Sequence, residues 1–323
     1  MIYKYTTYKW LPDIIYTNSL HFSCPLDFND PFDSFIRMKK IEDYTKDDIE
    51  KLINEAEDEN KKKKLIDVFY INQINEQKLL EERKKEVDKI FLVLSLSELK
   101  DNILMWSHYA ELHKGFCIGF KSNIDDIDIS KDSEPNDKEI LSKLKGKNFL
   151  LFEEECFKSQ LINHLNNESL NTEYADIGIA SKIFSRLFNK KLLSQNLENI
   201  DYPKYNTISD AFDYFRCNYT NDNNKQTELG KIGNFLKTKS NLWGYEEEKR
   251  IIIAYSDISK NKCPNNNIKF EKSLLKEIIF GVRTPEVHKL CIRSLVEKMG
   301  YENVEFYQAE RKDDKYELDI KKI

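Results

Sequence analysis

Segments with strand character lie at the two ends of this 323-residue chain and nearly vanish between them. That distribution limits the fold more than any other feature. At one end stand Met1–Thr6, Leu20–Cys24, Phe91–Ser97 (FLVLSLS) and Gly115–Phe120 (GFCIGF). At the other stand Lys249–Tyr255, Lys276–Phe280, Val304–Gln308 and Tyr316–Ile320. β-Branched and aromatic residues crowd these runs, as a half-buried or fully buried pleated surface requires. Lys9–Tyr16, residues 45–90, Asp101–Glu111 and Pro285–Met299 read as helical, the second opened by Thr45 as N-cap with Asp47, Asp48 and Glu50 in its first turn. From about 141 to 235 the chain is Asn-rich, charged and helical in pattern. The expectation is an α+β fold: a mixed or antiparallel sheet core built from both ends of the chain, residues 1–122 and 236–323, with a large helical insertion at 123–235.

Composition narrows the chemistry. Glycine occurs 9 times, far below the usual frequency of about 7%. No G-x-G-x-x-G and no G-x-x-x-x-G-K-[ST] occurs, which disfavours a Rossmann dinucleotide fold and a P-loop NTPase. H-E-x-x-H, C-x-x-C and an EF-hand loop are also missing, so no metal is expected. The net charge of −5 supplies no global field for nucleic acid. The six cysteines are scattered and read as reduced thiols of a cytoplasmic protein. No apolar run approaches the roughly 20 residues of a membrane span.

Four clusters suit neither plain core nor plain surface. Tyr3-Lys4-Tyr5-Thr6 puts a lysine in an aromatic strand, where a charged edge-strand guard is the simplest reading. Ser23 precedes Asn29-Asp30-Pro31 and Asp33, a turn whose Asn and Asp side chains bond backbone donors and can also reach a neighbouring cleft. Met105-Trp106-Ser107-His108-Tyr109 leads to His113. On a helix, Trp106 and Tyr109 share a face while His108 is displaced from it toward a cleft. His108 and His113, five apart, are poorly spaced for a shared metal. The fourth cluster is Trp243-Gly244-Tyr245-Glu246-Glu247-Glu248-Lys249-Arg250. Strand alternation from Tyr245 would send Glu246, Glu248 and Arg250 to one face.

Two carboxylates at a strand entrance have a known use. Cleavage of the nicotinamide–ribose bond of NAD passes through an oxocarbenium-like transition state, as glycoside hydrolysis does. One carboxylate on the ribose 2′-hydroxyl stabilises the developing charge, and a second orients or deprotonates the acceptor.

In this order, Tyr3–Tyr5, Phe22–Asp33, Leu94–Phe120, Lys239–Arg250 and Leu275–Gly281 resemble the bacterial domain-of-unknown-function 2971 family. That family's pattern runs Tyr-[Lys/His]-Tyr, FNDPFD, MWSHYA and W-x-YExExR, and it carries no established activity. The order of an aromatic–basic strand, a serine-bearing strand and E-x-E also resembles the ADP-ribosyltransferase arrangement. That second resemblance implies NAD as substrate, Glu248 as catalytic glutamate with Glu246 and His108 beside it, and Lys4 where such enzymes often carry His. Ser23 or Ser95 would fill the serine role. Tyr5, Asn29, Asp30, Tyr245 and Arg250 complete the set expected to hold the cofactor. The implied partners are a small-molecule nucleotide and a protein or nucleic-acid acceptor, with no membrane, in an effector of bacterial anti-phage defence. Two alternatives stay open. One is a carboxylate-based hydrolase or nuclease using Asp30, Asp33, Glu246 and Glu248. The other is a non-catalytic sensor or effector binding through His108 and Trp106.

Overall fold

The computed structural model describes residues 1–33, 89, 91–122, 149–158, 181, 185, 191–200, 234–255, 258–259 and 264–323. The chain divides into two compact units. One comprises Met1–Ser23, Leu92–Ile200 and Gly244–Ile323, the other Cys24–Phe91 and Asp201–Trp243.

The first unit is built on an eight-stranded sheet. Its strands are β1 (Ile2–Thr6), β3 (Phe91–Ser97), β4 (Phe116–Phe120), β7 (Glu198–Asn199), β8 (Glu248–Ala254), β10 (Leu275–Phe280), β11 (Glu305–Arg311) and β12 (Leu318–Lys322), in the order β12-β11-β10-β4-β1-β3-β8-β7. β10 and β11 run parallel, joined through helix α3 (Glu286–Lys298), the kind of crossover a parallel pair needs. The registered pairs of β1 with β3 and β4, β4 with β10, β11 with β12 and β7 with β8 are antiparallel. The α+β expectation is thus met, with a sheet drawn from both ends of the chain. Two short sheets accompany it: β2 (Ser19–His21) with β9 (Asn267–Lys269), and β5 (Phe149–Glu153) with β6 (Leu192–Asn196).

Those last strands correct the reading of 123–235 as a helical insertion. Among its described residues, 149–153 and 192–196 form an antiparallel pair, and Glu198–Asn199 joins the edge of the large sheet at Arg250 and Lys249. FLLFE at 149–153 is as apolar as the strands that were recognised, but its charged, Asn-rich neighbours masked it. Of the rest of that span, residues 154–158, 181, 185, 191, 197, 200 and 234–235 are also described; the remainder, and all but residue 89 of the helix expected at 45–90, lie outside the described residues. The cysteine reading also changes. Cys24, Cys117 and Cys291 are free, but Cys156 is disulfide-bonded, so cysteine usage no longer argues for a cytoplasmic location. Among the described residues, no helix is long and apolar enough to cross a membrane.

Helix α1 (Leu11–Thr17) carries Pro12 in its first turn, where a missing N–H costs nothing, and closes on Asn18 in the left-handed conformation. Helix α2 (Ile103–Tyr109) is capped by Asn102, whose Oδ1 accepts from the Leu104 and Met105 N–H groups at 2.9 and 3.3 Å. Met105, Trp106 and Ala110 pack with Tyr3, Tyr5, Cys117, Ile279 and Ala309 in one core layer. Trp106 is fully buried, meets Tyr5 edge-on at 5.3 Å and donates its indole N–H to the Lys100 carbonyl at 2.9 Å.

Glycine matters where backbones touch. A Cβ on Gly281 would stand 2.3 Å from the His113 carbonyl oxygen, and one on Gly115 2.3 Å from that of Thr6. Both contacts are with backbone, which cannot swing aside. Gly281→Ala is expected to destabilise the fold by roughly 1–3 kcal/mol, as overpacking does, read from the urea midpoint at unchanged slope.

Candidate functional site

Lys4 stands in the middle of the sheet. β1 is paired on both sides, with β3 at Tyr3–Ser97 and with β4 throughout, so the edge-guard reading of Lys4 fails. Tyr3 and Tyr5 point to the α2 layer, and alternation sends Lys4 to the opposite face. Its ammonium donates to the Ser95 carbonyl at 2.9 Å. Burial pushes its pKa down, and the Glu248 carboxylate pulls the other way. Lys4 and Glu248 therefore act on each other across β3.

Glu248 opens β8 and is almost completely buried, as is Arg250 two residues on. Alternation puts both on one face. There the guanidinium grips the carboxylate as a fork, Nε to Oε1 at 2.7 Å and Nη2 to Oε2 at 3.1 Å. Charges this deep persist only when paired.

Glu246 does not share that face. It ends a 3-10 turn (Asn241–Glu246), and Glu247 then takes φ +41°, a left-handed kink before the strand begins. The Glu246 carboxylate accepts from the Tyr109 hydroxyl at 2.6 Å, and Tyr109 packs against the Tyr3–Tyr5–Trp106 layer. The Ser97 hydroxyl fixes the Glu246 carbonyl at 2.6 Å, and the Asn102 amide fixes that of Tyr245 at 2.8 Å. The two carboxylates expected to face one cleft thus stand back to back. The expectation assumed an unbroken strand from Tyr245.

The other expected residues distribute as follows. Tyr5 belongs to the core: its hydroxyl donates to the Leu99 carbonyl at 2.9 Å, and burial drives its pKa far up. Its side chain faces away from Lys4. Ser23 exchanges backbone hydrogen bonds with Val93 of β3, both at 2.9 Å. His108 is exposed, its ring 6.4 Å from that of Tyr245 and 6.2 Å from that of Tyr109. Trp106 inside and His108 outside is the split that helical spacing implied. Asn29 and Asp30 fall in the second compact unit. Asp30 accepts from the Phe32 N–H at 2.9 Å, the Asx turn expected of it. In the same unit Asp33 and Lys239, both buried, pair at 3.6 Å, and the Lys239 ammonium lies 5.0 Å from the Trp243 ring centre. Reading the residues missed that pairing and the Tyr109–Glu246 contact. Among the described residues no cluster could hold a metal ion.

The class defined so far is an α+β protein whose sheet carries a buried Glu248–Arg250 pair with the half-buried Lys4 acting on it. The family model of DUF2971, a protein of unknown function, matches residues 105–251. The match opens at Met105 and closes just past Arg250, spanning the two motifs that meet through Tyr109 and Glu246. The resemblance to the DUF2971 family is thereby shown. No curated protein and no solved structure matches the chain.

Two predictions follow from this geometry. Glu248→Gln removes the carboxylate that buried Arg250 forks onto and should cost roughly 3–5 kcal/mol, whereas Glu248→Leu with Arg250→Met should cost less; denaturant unfolding of both variants measures it. His113, partly buried beside Arg283, has its pKa held below 6.5. Above 6.5 both folded and unfolded chains carry it neutral. As the pH falls below that, the unfolded chain takes up the proton first and stability declines until the folded pKa is passed. His113→Gln should flatten that acid limb in melting temperatures recorded against pH.

Proposed function

We propose that this chain is an NAD-consuming enzyme of ADP-ribosyltransferase type. The observation that supports it is the placement of Lys4 and Glu248 on one side of the sheet, with Arg250 forked onto the carboxylate. In the proposed reaction Glu248 accepts a hydrogen bond from the ribose 2′-hydroxyl as positive charge grows at C1′. The C1′–N bond breaks and its electron pair leaves with nicotinamide. An acceptor O–H or water adds to C1′ and releases its proton to solvent. Lys4 donates to a ribose or phosphate oxygen, and Arg250 keeps Glu248 ionised. Glu246 is left out as the acceptor's base, because Tyr109 holds it on the far face. The acceptor belongs to the protein or nucleic-acid class. Depletion of NAD would make such a chain an effector of bacterial defence, acting in the cytoplasm.

A second reading is favoured by the depth of the Glu248–Arg250 pair: the ion pair pins the sheet, and exposed His108 beside Tyr245 belongs to a non-catalytic binding surface. Calorimetry with NAD and a nicotinamide-release assay on the full chain separate the two. On the first reading the wild type binds and cleaves NAD, and the folded Glu248→Leu/Arg250→Met variant loses turnover by at least roughly a hundredfold, the scale of one electrostatic contact in a transition state. No heat with NAD, or full turnover in the folded double variant, overturns it in favour of the second.

A further inference from the structure

We propose that the groove between helix α2 and the β11–β12 hairpin binds a small organic anion, a carboxylate or phosphate monoester with an apolar body. The groove encloses about 800 Å³ and is lined by Ile103, Leu104 and Ser107 of α2, the Leu112–His113 turn, Val282–Arg283, and residues 311–318. That volume suits a small ligand. It lies apart from the Lys4–Glu248–Arg250 group, since α2 covers the opposite face of the sheet.

The apolar wall is unusually open. Ile103, Leu104 and Leu112 are 38%, 43% and 62% exposed, and all three line this groove. Arg283 and Arg311 also line it, and neither takes part in a salt bridge among the described residues. Of the groove's carboxylates, Glu317 is taken by Lys312 at 2.6 Å, while Asp313 and Asp314 stand on the exposed hairpin loop. A guanidinium presents a planar fork matched to a carboxylate or phosphate, and apolar surface beside it receives the rest of the ligand.

The backbone beneath is strained. Glu111, Leu112 and His113 take φ of +50°, +54° and +68° in succession, a left-handed conformation that L side chains disfavour. Bonds hold it: His113 N–H to the Trp106 carbonyl at 3.1 Å, Arg283 N–H to the His113 carbonyl at 2.9 Å, and the His113 Nε2–Ser107 Oγ contact at 3.1 Å. The strained turn sets the His113 ring and the Ser107 hydroxyl in the groove beside Arg283. An anion there would counter the burial and the Arg283 charge that together lower the His113 pKa.

Calorimetry of the full chain with phenyl phosphate and with 4-phenylbutyrate tests the proposal. Neither probe contains ribose or nicotinamide, so the result does not depend on NAD activity. Saturable binding of either probe, weakened roughly tenfold or more in Arg283→Met/Arg311→Met, supports the site, and the probe that binds identifies the headgroup. Both arginines are exposed, and an unchanged melting temperature of the variant excludes misfolding as the cause. No saturable heat with either probe, or equal binding by the double variant, overturns it.

Discussion

The first unit depends on five residues at the N-terminus. β1 lies between β3 and β4 in the sheet order. On one side run β3, β8 and β7; on the other run β4, β10, β11 and β12. Among the described residues these two groups share no ladder without β1. Its antiparallel pairing, Ile2–Phe120 through Thr6–Phe116 on one edge and Tyr3–Ser97 on the other, makes one sheet of strands drawn from Ile2 to Lys322. This position also forces a charge inward. Lys4, half-buried in a central strand, donates to the Ser95 carbonyl and is drawn electrostatically to Glu248.

Most of the sheet was legible in the sequence because its strands are short, apolar and bounded by turn residues. FLVLSLS coincides with β3, and KRIIIAY and KEIIF fall within a residue of β8 and β10. Pattern reading failed where one residue changed the geometry. Glu247 carries no sign that it takes a positive φ; glycine or asparagine would have shown it. With that kink unseen, parity from Tyr245 put Glu246 beside Glu248. The FLLFE strand failed for a different reason: an isolated apolar run of five in a polar, charged stretch carries no period that separates strand from helix.

The candidate site was legible by residue type and only in part by arrangement. Glu248 and Arg250 share a face as alternation implies, and Lys4, singled out through the motif order, lies in electrostatic reach of Glu248. Tyr109 and Glu246 also meet, but no local rule joins residues 137 positions apart. Their contact depends on Asn102, which both caps α2 and holds the Tyr245 carbonyl. One side chain thus sets where the helix starts and where the 3-10 turn ends.

That coupling gives the back-to-back carboxylates a physical reason. Glu246 and Glu248 on one face would repel at close range in a low-dielectric interior, and Arg250 alone could not neutralise both. The kink at Glu247 moves one charge through the plane of the sheet and gives each its own partner: a phenol for Glu246, a guanidinium and an ammonium for Glu248. The two partners differ in consequence. The Tyr109 hydroxyl hydrogen-bonds one carboxylate oxygen of Glu246, whereas at Glu248 the Arg250 guanidinium forks both oxygens and Lys4 acts on them from across β3.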